Sequence, residues 1–164
     1  SIPKEMVTVV DRPAIEYVVK EAVQAGIQQI ILVTHASKVS IENYFDRNVE
    51  LESVLKRSNK VDLLDEIQNI IPSNISFVSV RQYEPLGLGH AVLCAKDIIG
   101  KDPFVVLLPD VLVKSNPRNN DLAKMIQRFN ETNLSQVMVE KVRLNFSFFS
   151  KNLYSIKEIK HVVK

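Results

Sequence analysis

Three polar residues, His35, Gln82 and Asp110, each follow a short apolar run, and their side chains can bind a ligand. The carboxylate of Asp110 is the kind of hard oxygen ligand that Mg²⁺ prefers, although an aspartate after a strand is also a common turn residue. The carboxamide of Gln82 carries an acceptor and two donors, so it can pair with a ligand that presents both. For His35 a role as catalytic base is conceivable, and a structural role is favoured.

The elements that must position these side chains are strands alternating with helices. The apolar, β-branched runs predict strands buried on both faces, and the alternation predicts βαβ units with a parallel sheet covered by helices. In such sheets ligands lie outside the carboxyl ends of the strands, where the three polar residues fall. The predicted strands are 30–33, 75–80, 104–108 and 136–142, and the predicted helices are 13–25, 37–45, 49–56, 61–71, 91–99 and 120–132.

The composition is that of an ordinary globular chain and excludes several classes of function. Its 164 residues carry a formal net charge of +2, which gives no electrostatic footprint for nucleic acid or an anionic membrane. No apolar run approaches the roughly 18 residues of a membrane span. Cys94 is the only cysteine, so no intramolecular disulfide can form, and its apolar helical surroundings predict a core position. A cytoplasmic location is expected.

Seven short stretches together resemble one family. In their order and spacing they are similar to bacterial UTP–glucose-1-phosphate uridylyltransferases, and the resemblance covers roughly residues 1–142. A Gly-Leu-Gly alone would be a weak signal, but the ordered set is specific. The stretches are IPKEM at 2–6, DRP at 11–13, LVTHASK at 32–38, IENYFD at 41–46, RQ at 81–82, GLGHA at 87–91 and LPD at 108–110.

The resemblance implies a fold and a reaction. The fold is α/β, a Rossmann-like nucleotidyltransferase three-layer sandwich with a mostly parallel sheet, here incomplete. The reaction transfers UMP from UTP to glucose 1-phosphate and gives UDP-glucose and pyrophosphate, with Mg²⁺ as cofactor. Residues 1–142 would form a partial nucleotide-binding domain. Residues 143–164 would form a divergent tail, whose pattern leaves both a short strand and a short helix open.

The resemblance also implies the site residues. Lys4 matches a family lysine that contacts the phosphates, and Asp110 matches the metal-binding aspartate, so both are the expected catalytic residues. Gln82 matches the glutamine that contacts the base, and Gly87 the glycine whose main chain contacts the uracil. The plainer alternatives are a solvated surface lysine at position 4 and an ordinary turn at Gly87.

Two departures from the family pattern leave alternatives open. The family's glycine-rich phosphate loop would precede Ser1, and its later half, with a Glu-Lys pair and a second metal-binding aspartate, is not matched. The expectation is therefore an internal fragment, inactive alone, that forms a homo-oligomer or associates with a full-length homologue. Alternatively, the stretches at 84–87 and 128–132 equally suit a catalytically silent homologue that binds the active enzyme. A third interpretation is an inactive truncated gene product.

Overall fold

The computed structural model describes residues 2–110, 112, 120–142 and 155–163. Two short 3-10 helices lie at Lys4–Met6 and Ala36–Lys38. The strands are β1 (Thr8–Val9), β2 (Arg12–Pro13), β3 (Gln29–Thr34), β4 (Ser76–Arg81), β5 (Phe104–Leu107), β6 (Gln136–Val142) and β7 (Ser155–Val163). The helices are α1 (Ala14–Gln24), α2 (Val39–Phe45), α3 (Val49–Arg57), α4 (Val61–Gln68), α5 (Leu88–Cys94), α6 (Lys96–Ile99) and α7 (Asp121–Thr132).

The larger strands form two separate sheets within the described residues. β3 and β4 pair in parallel, from Gln29 opposite Ser76 to Thr34 opposite Arg81, which confirms the predicted βαβ arrangement. In the second sheet β7 lies between β5 and β6 and runs antiparallel to both. β7 belongs to the region 143–164, so this part of the chain contributes a strand to the same sheet as β5 and β6.

The apolar strands are less buried than their sequence predicts. The sequence predicts that strand β3 is buried on both faces. Its four apolar residues, 30–33, are only half-buried, and Thr34 is its one buried residue. Every residue of β5 is likewise half-buried. The reason is the width of the sheet: among the described residues β3 pairs only with β4, so one of its edges has no neighbouring strand.

The best-packed part of the core lies along α1. Its residues Ile15, Val18, Val19 and Ala22 recur at helical spacing and are buried, as the periodicity predicts. Gly26, with φ of +86°, follows the helix and allows the chain to turn into β3.

Helix α7 packs against α1. Its Leu122 is fully buried, and the amide nitrogen of the Asn120 side chain donates to the Glu21 carbonyl oxygen at 3.0 Å. Burying a leucine side chain stabilises the fold by about 1.5–3 kcal/mol, so this contact anchors α7 firmly.

A buried carboxylate joins α1 to α2. Glu16 is fully buried; it accepts hydrogen bonds from Arg12 at 2.6 Å, Lys20 at 2.7 Å and the Tyr44 hydroxyl. Burial raises the pKa of Glu16, but the hydrogen bonds from Lys20, Tyr44 and Arg12 outweigh it and leave the pKa lowered. Burial, together with hydrogen bonding to this carboxylate, raises the pKa of Tyr44. The charge is therefore stabilised in the core by three donors.

Three predicted helices differ in detail from the observed ones. The helix predicted over 61–71 ends earlier, at Gln68. The helix predicted over 37–45 is a 3-10 helix followed by α2. The helix predicted over 91–99 begins earlier, at Leu88, and is interrupted at Ala95, between α5 and α6. The earlier start matters for function, because it places the first turn of α5 directly after the loop that follows Gln82.

Candidate functional site

The carboxyl end of the β3–β4 sheet positions Gln82. The backbone N–H of Gln82 donates to the Thr34 carbonyl oxygen at 2.9 Å and so extends the parallel ladder by one bond. The position of Gln82 at the carboxyl end of its strand, predicted from the sequence, is thus the observed one. A loop from Tyr83 to Gly87 then leads into α5.

The side chain of Gln82 is held by two acceptors. Its amide nitrogen lies 3.1 Å from the carbonyl oxygen of Gly87 and 3.0 Å from Nδ1 of His90, both normal hydrogen-bond lengths. Gln82, Gly87 and His90 form what we call the amide cluster. The structure places two of the predicted binding residues, Gln82 and Gly87, in direct contact with each other.

Gly87 has a conformation that only glycine adopts readily. Its φ of +89° and ψ of −177° lie in a region essentially closed to other residues, and it immediately precedes α5. A Cβ at this position would meet no atom within 4 Å, so the backbone conformation and not lack of space requires glycine. Gly89 lies inside α5, and its φ is not positive.

The other two predicted residues, Lys4 and Asp110, also meet. Lys4 Nζ lies 3.1 Å from Asp110 Oδ2, although the residues are 106 positions apart in the chain. The two side chains are 67% and 55% exposed, so the ion pair is solvated and worth at most about 1 kcal/mol. A ligand with stronger charges can therefore open it. The sequence predicted each residue as a ligand contact, but not their pairing.

The turn that carries Lys4 is held by a second ion pair, which sequence reasoning missed. Glu5 is only 6% exposed, and its Oε1 accepts a hydrogen bond from Lys38 Nζ at 2.6 Å. Burial raises the pKa of Glu5, but the hydrogen bond from Lys38 and a backbone N–H outweigh it, so the pKa is lowered. Both residues lie in stretches that carry the family resemblance, yet nothing in their spacing of 33 positions indicated a contact.

A cavity of about 270 Å³ lies beside this ion pair. Two lysines, Lys4 and Lys38, and the hydroxyl-bearing Ser37 are among the residues that line it. Such a set of groups suits an anionic ligand. The full lining is Pro3, Lys4, Glu5, Ser37 and Lys38.

His35 and Cys94 have local roles. Nδ1 of His35 lies 3.1 Å from Ser37 Oγ and accepts the Ser37 N–H at 3.4 Å, which caps the 3-10 helix and supports the favoured structural role. The prediction that Cys94 is a core residue is wrong. Cys94 is half-buried, because its helix α5 has no buried face and Cys94 Sγ points toward His90 Nδ1 at 4.0 Å.

Asp110 is the carboxylate that the predicted site offers to a metal ion. The described residues contain no group of three His, Cys, Asp or Glu side chains that could enclose an ion. Mg²⁺, however, usually takes one or two protein carboxylates and completes its shell with water and phosphate oxygens. The half-exposed Asp110 beside Lys4 fits that requirement as a single protein ligand.

Residues 1–148 match the family described as nucleotidyl transferase, and the chain belongs to this family. Among named relatives, it is 51% identical over 145 residues to a UTP–glucose-1-phosphate uridylyltransferase of Haemophilus ducreyi, an alignment that covers 87% of this chain and 49% of that protein. The chain thus spans about half the length of the curated relatives it matches.

Solved structures confirm the nucleotidyltransferase fold. A UDP-glucose pyrophosphorylase from Acinetobacter baumannii superposes with a TM-score of 0.87 at 52% identity, covering 99% of this chain and 67% of that one. A UTP-bound UGPase from the same organism gives a TM-score of 0.85 at 49% identity, again covering 99% and 67%. In the part of the chain that the structure describes, no helix is long and apolar enough to span a membrane.

Proposed function

We propose that this chain is part of an enzyme that transfers UMP from UTP to glucose 1-phosphate, forming UDP-glucose and pyrophosphate. The observation that carries the proposal is the meeting of Lys4 and Asp110 at 3.1 Å. A cation and a metal-binding type of carboxylate side by side are what transfer between phosphates requires. The names of the relatives and the UTP bound to one similar structure support the choice of substrates.

In the proposed reaction a phosphate oxygen of glucose 1-phosphate attacks the α-phosphorus of UTP. A new P–O bond forms, the bond from the α-phosphorus to the bridging oxygen breaks, and pyrophosphate leaves with that electron pair. Lys4 would leave Asp110 and place its ammonium against the phosphate oxygens. Asp110 would hold Mg²⁺, which when bound neutralises charge on the triphosphate. Positioning and charge neutralisation are the protein's main contributions in this chemistry.

In the same proposal, the amide cluster binds the base of UTP. Uracil presents a ring N–H flanked by two carbonyl groups, and the Gln82 carboxamide lies at the sheet edge where such a ring can reach it. Gly87, directly beside the Gln82 amide, exposes backbone without a side chain. Support for this assignment comes from the resemblance in the 81–91 stretch together with the observed contact between the two residues.

We further propose that the chain works in the cytoplasm and associates with itself or with a longer homologue. Support for association comes from half-exposed apolar strands and from large apolar side chains at the surface, such as Leu134 at 65% and Val137 at 48% exposure. Among the residues that the structure describes, β3 has one edge without a neighbouring strand, and such an edge favours pairing with another chain.

The test is calorimetric titration of the purified chain with UTP, with Mg²⁺ and with a chelator. We expect Mg²⁺ to strengthen binding, and Asp110→Asn to weaken it about 10- to 100-fold and to abolish the Mg²⁺ dependence, because a charge-assisted contact is lost. Asp102→Asn, at an exposed site two residues before β5, is the matched control and should bind like the original chain. Mg²⁺ dependence that survives in Asp110→Asn would contradict the assignment.

A further inference from the structure

The orientation of the Gln82 amide follows from its neighbours. A backbone carbonyl oxygen can only accept a hydrogen bond, so the side-chain atom that lies 3.1 Å from the Gly87 oxygen must be the amide nitrogen. The same nitrogen lies 3.0 Å from Nδ1 of His90. Because the nitrogen brings a proton to this contact, Nδ1 must be the unprotonated acceptor and the imidazole proton must sit on Nε2.

This orientation decides what Gln82 offers to a ligand. Both amide protons are committed, one to Gly87 and one to His90. The carbonyl oxygen Oε1 has no hydrogen-bond partner within the described part of the chain. Gln82 therefore presents an acceptor, and no donor, to a molecule at the sheet edge.

We propose that His90 is a positioning residue that makes this site select a pyrimidine with a ring N–H over one without it. The inference rests on the proposed function, because it takes Gln82 as the base contact. Uracil and thymine carry a hydrogen on N3 that Oε1 can accept. Cytosine carries a lone pair on N3, which would face Oε1 as a second acceptor and leave both without a proton. A site built around one hydrogen bond rejects an analogue that cannot make it.

The cluster is rigid enough to act in this way. The Gly87 carbonyl also accepts the backbone N–H of Ala91 at 3.1 Å, which fixes it to the first turn of α5. His90 projects from that same turn, and its Nδ1 is further approached by Cys94 Sγ at 4.0 Å, one helical turn on. The Gln82 backbone is fixed separately through Thr34. Both acceptors and the amide are thus attached to regular elements, which limits the freedom of the amide to rotate.

Three variants test the proposal by the ratio of UTP to CTP affinity, measured by calorimetry with Mg²⁺. His90→Leu removes the acceptor and should reduce the original preference for UTP by about fivefold, within the range of one neutral hydrogen bond. His90→Asn places an oxygen near the position of Nδ1 and should keep the ratio within about twofold of the original, a rescue that a merely space-filling role would not predict. His35→Leu, at the other strand end and outside the amide cluster, should leave the ratio unchanged.

The outcomes separate this inference from the proposed function. A preference for UTP that persists in a folded His90→Leu chain would overturn the role of His90 alone. An original chain that is folded and binds neither nucleotide would overturn both. The tautomer of His90 can be measured without a nucleotide, by ¹⁵N NMR of protein labelled with ¹⁵N-histidine. The signals of His90 are those that disappear in His90→Asn. They should show an unprotonated Nδ1 and a protonated Nε2. A His90 ring protonated on Nδ1 would contradict the inference directly.

Discussion

The two halves of the candidate site are built in opposite ways. In the amide cluster, Gln82 and His90 are eight positions apart, and one strand end, one glycine and one helical turn set the geometry. The Lys4–Asp110 pair joins residues 106 positions apart, one on a 3-10 helix and the other in the segment that follows β5. The first half is a local structure, whereas the second exists only when distant parts of the chain pack together.

The two halves differ in the contacts that hold their side chains in position. An exposed ion pair of at most about 1 kcal/mol cannot hold the Lys4 turn in place. The turn is held instead by the buried Glu5–Lys38 pair and by its packing against α1 and α2. The amide cluster needs no such support, because its members share a loop and a helix. Changes to the scaffold should therefore impair the phosphate side more than the base side.

The largest expected effect comes from the buried carboxylate that joins α1 to α2. Glu16→Ala should lower the free energy of unfolding by about 2–3 kcal/mol, since it leaves Arg12, Lys20 and Tyr44 without their shared acceptor. Urea unfolding followed by circular dichroism measures the change. Glu50→Ala, on the exposed surface of α3, should shift stability by less than about 0.5 kcal/mol. Equal effects of the two variants would show that the buried carboxylate contributes nothing.

The next effect separates two neighbouring glycines. Gly87→Ala should destabilise the chain by about 1–3 kcal/mol, because alanine is strained at φ +89° and ψ −177°. Gly89→Ala should be neutral or stabilising by up to about 1 kcal/mol, because it lies in α5 and an added Cβ meets open space. The same urea titration compares them. If the Gly87→Ala chain were as stable as the Gly89→Ala chain, the loop before α5 would be able to change its conformation. That result would contradict the rigidity of the amide cluster.

A smaller effect should fall on one half of the site only. Glu5→Gln removes the charge that holds Lys38 and should weaken Mg²⁺–UTP binding by about three- to tenfold, since the Lys4 turn loses part of its support. The ratio of UTP to CTP affinity should stay constant, because the amide cluster does not touch Glu5. Lys38→Met leaves the buried Glu5 carboxylate without its cation and should weaken binding at least as much. A changed UTP/CTP ratio would show that the two halves are coupled.

The smallest effect concerns a region that belongs to neither half. Arg47 and Gln68 donate to the buried Glu52 and lower its pKa from 4.5 to about 2. Because the folded-state pKa is the lower one, this carboxylate stabilises the fold above pH 4.5 and loses that contribution as the pH falls toward 2. Urea midpoints at pH 6 and pH 3 should therefore differ more in the original chain than in Glu52→Gln. If the urea midpoints of the two chains changed equally with pH, Glu52 would not contribute to the loss of stability in acid.

The sequence alone supplied most of the elements and the separate parts of the site. The strands β3 to β6 and most helices follow from apolar periodicity, and the rule for the carboxyl ends of parallel strands pointed to Gln82, which follows β4. The same rule was applied to Asp110, but the strand before it, β5, pairs antiparallel with β7. The partners of the side chains were not predictable. Glu5 with Lys38 and Lys4 with Asp110 meet only through tertiary packing, which leaves no local pattern.

The half-burial of the apolar strands could not be predicted from the sequence either. It depends on how many strands flank each one, and composition does not encode that number. The antiparallel strand β7 lies in a region whose pattern did not distinguish strand from helix. Local chemistry could thus be read from the residues, whereas neighbours across the sheet required the structure.

The position of Cys94 makes the chain suited to optical labelling. It is the sole cysteine, it is half-buried, and its sulfur lies 4.0 Å from the His90 ring that holds the Gln82 amide. A thiol-reactive fluorophore would therefore attach at one position, without any engineered cysteine. The dye would sit one helical turn from the proposed base contact, where its emission could report nucleotide occupancy in real time.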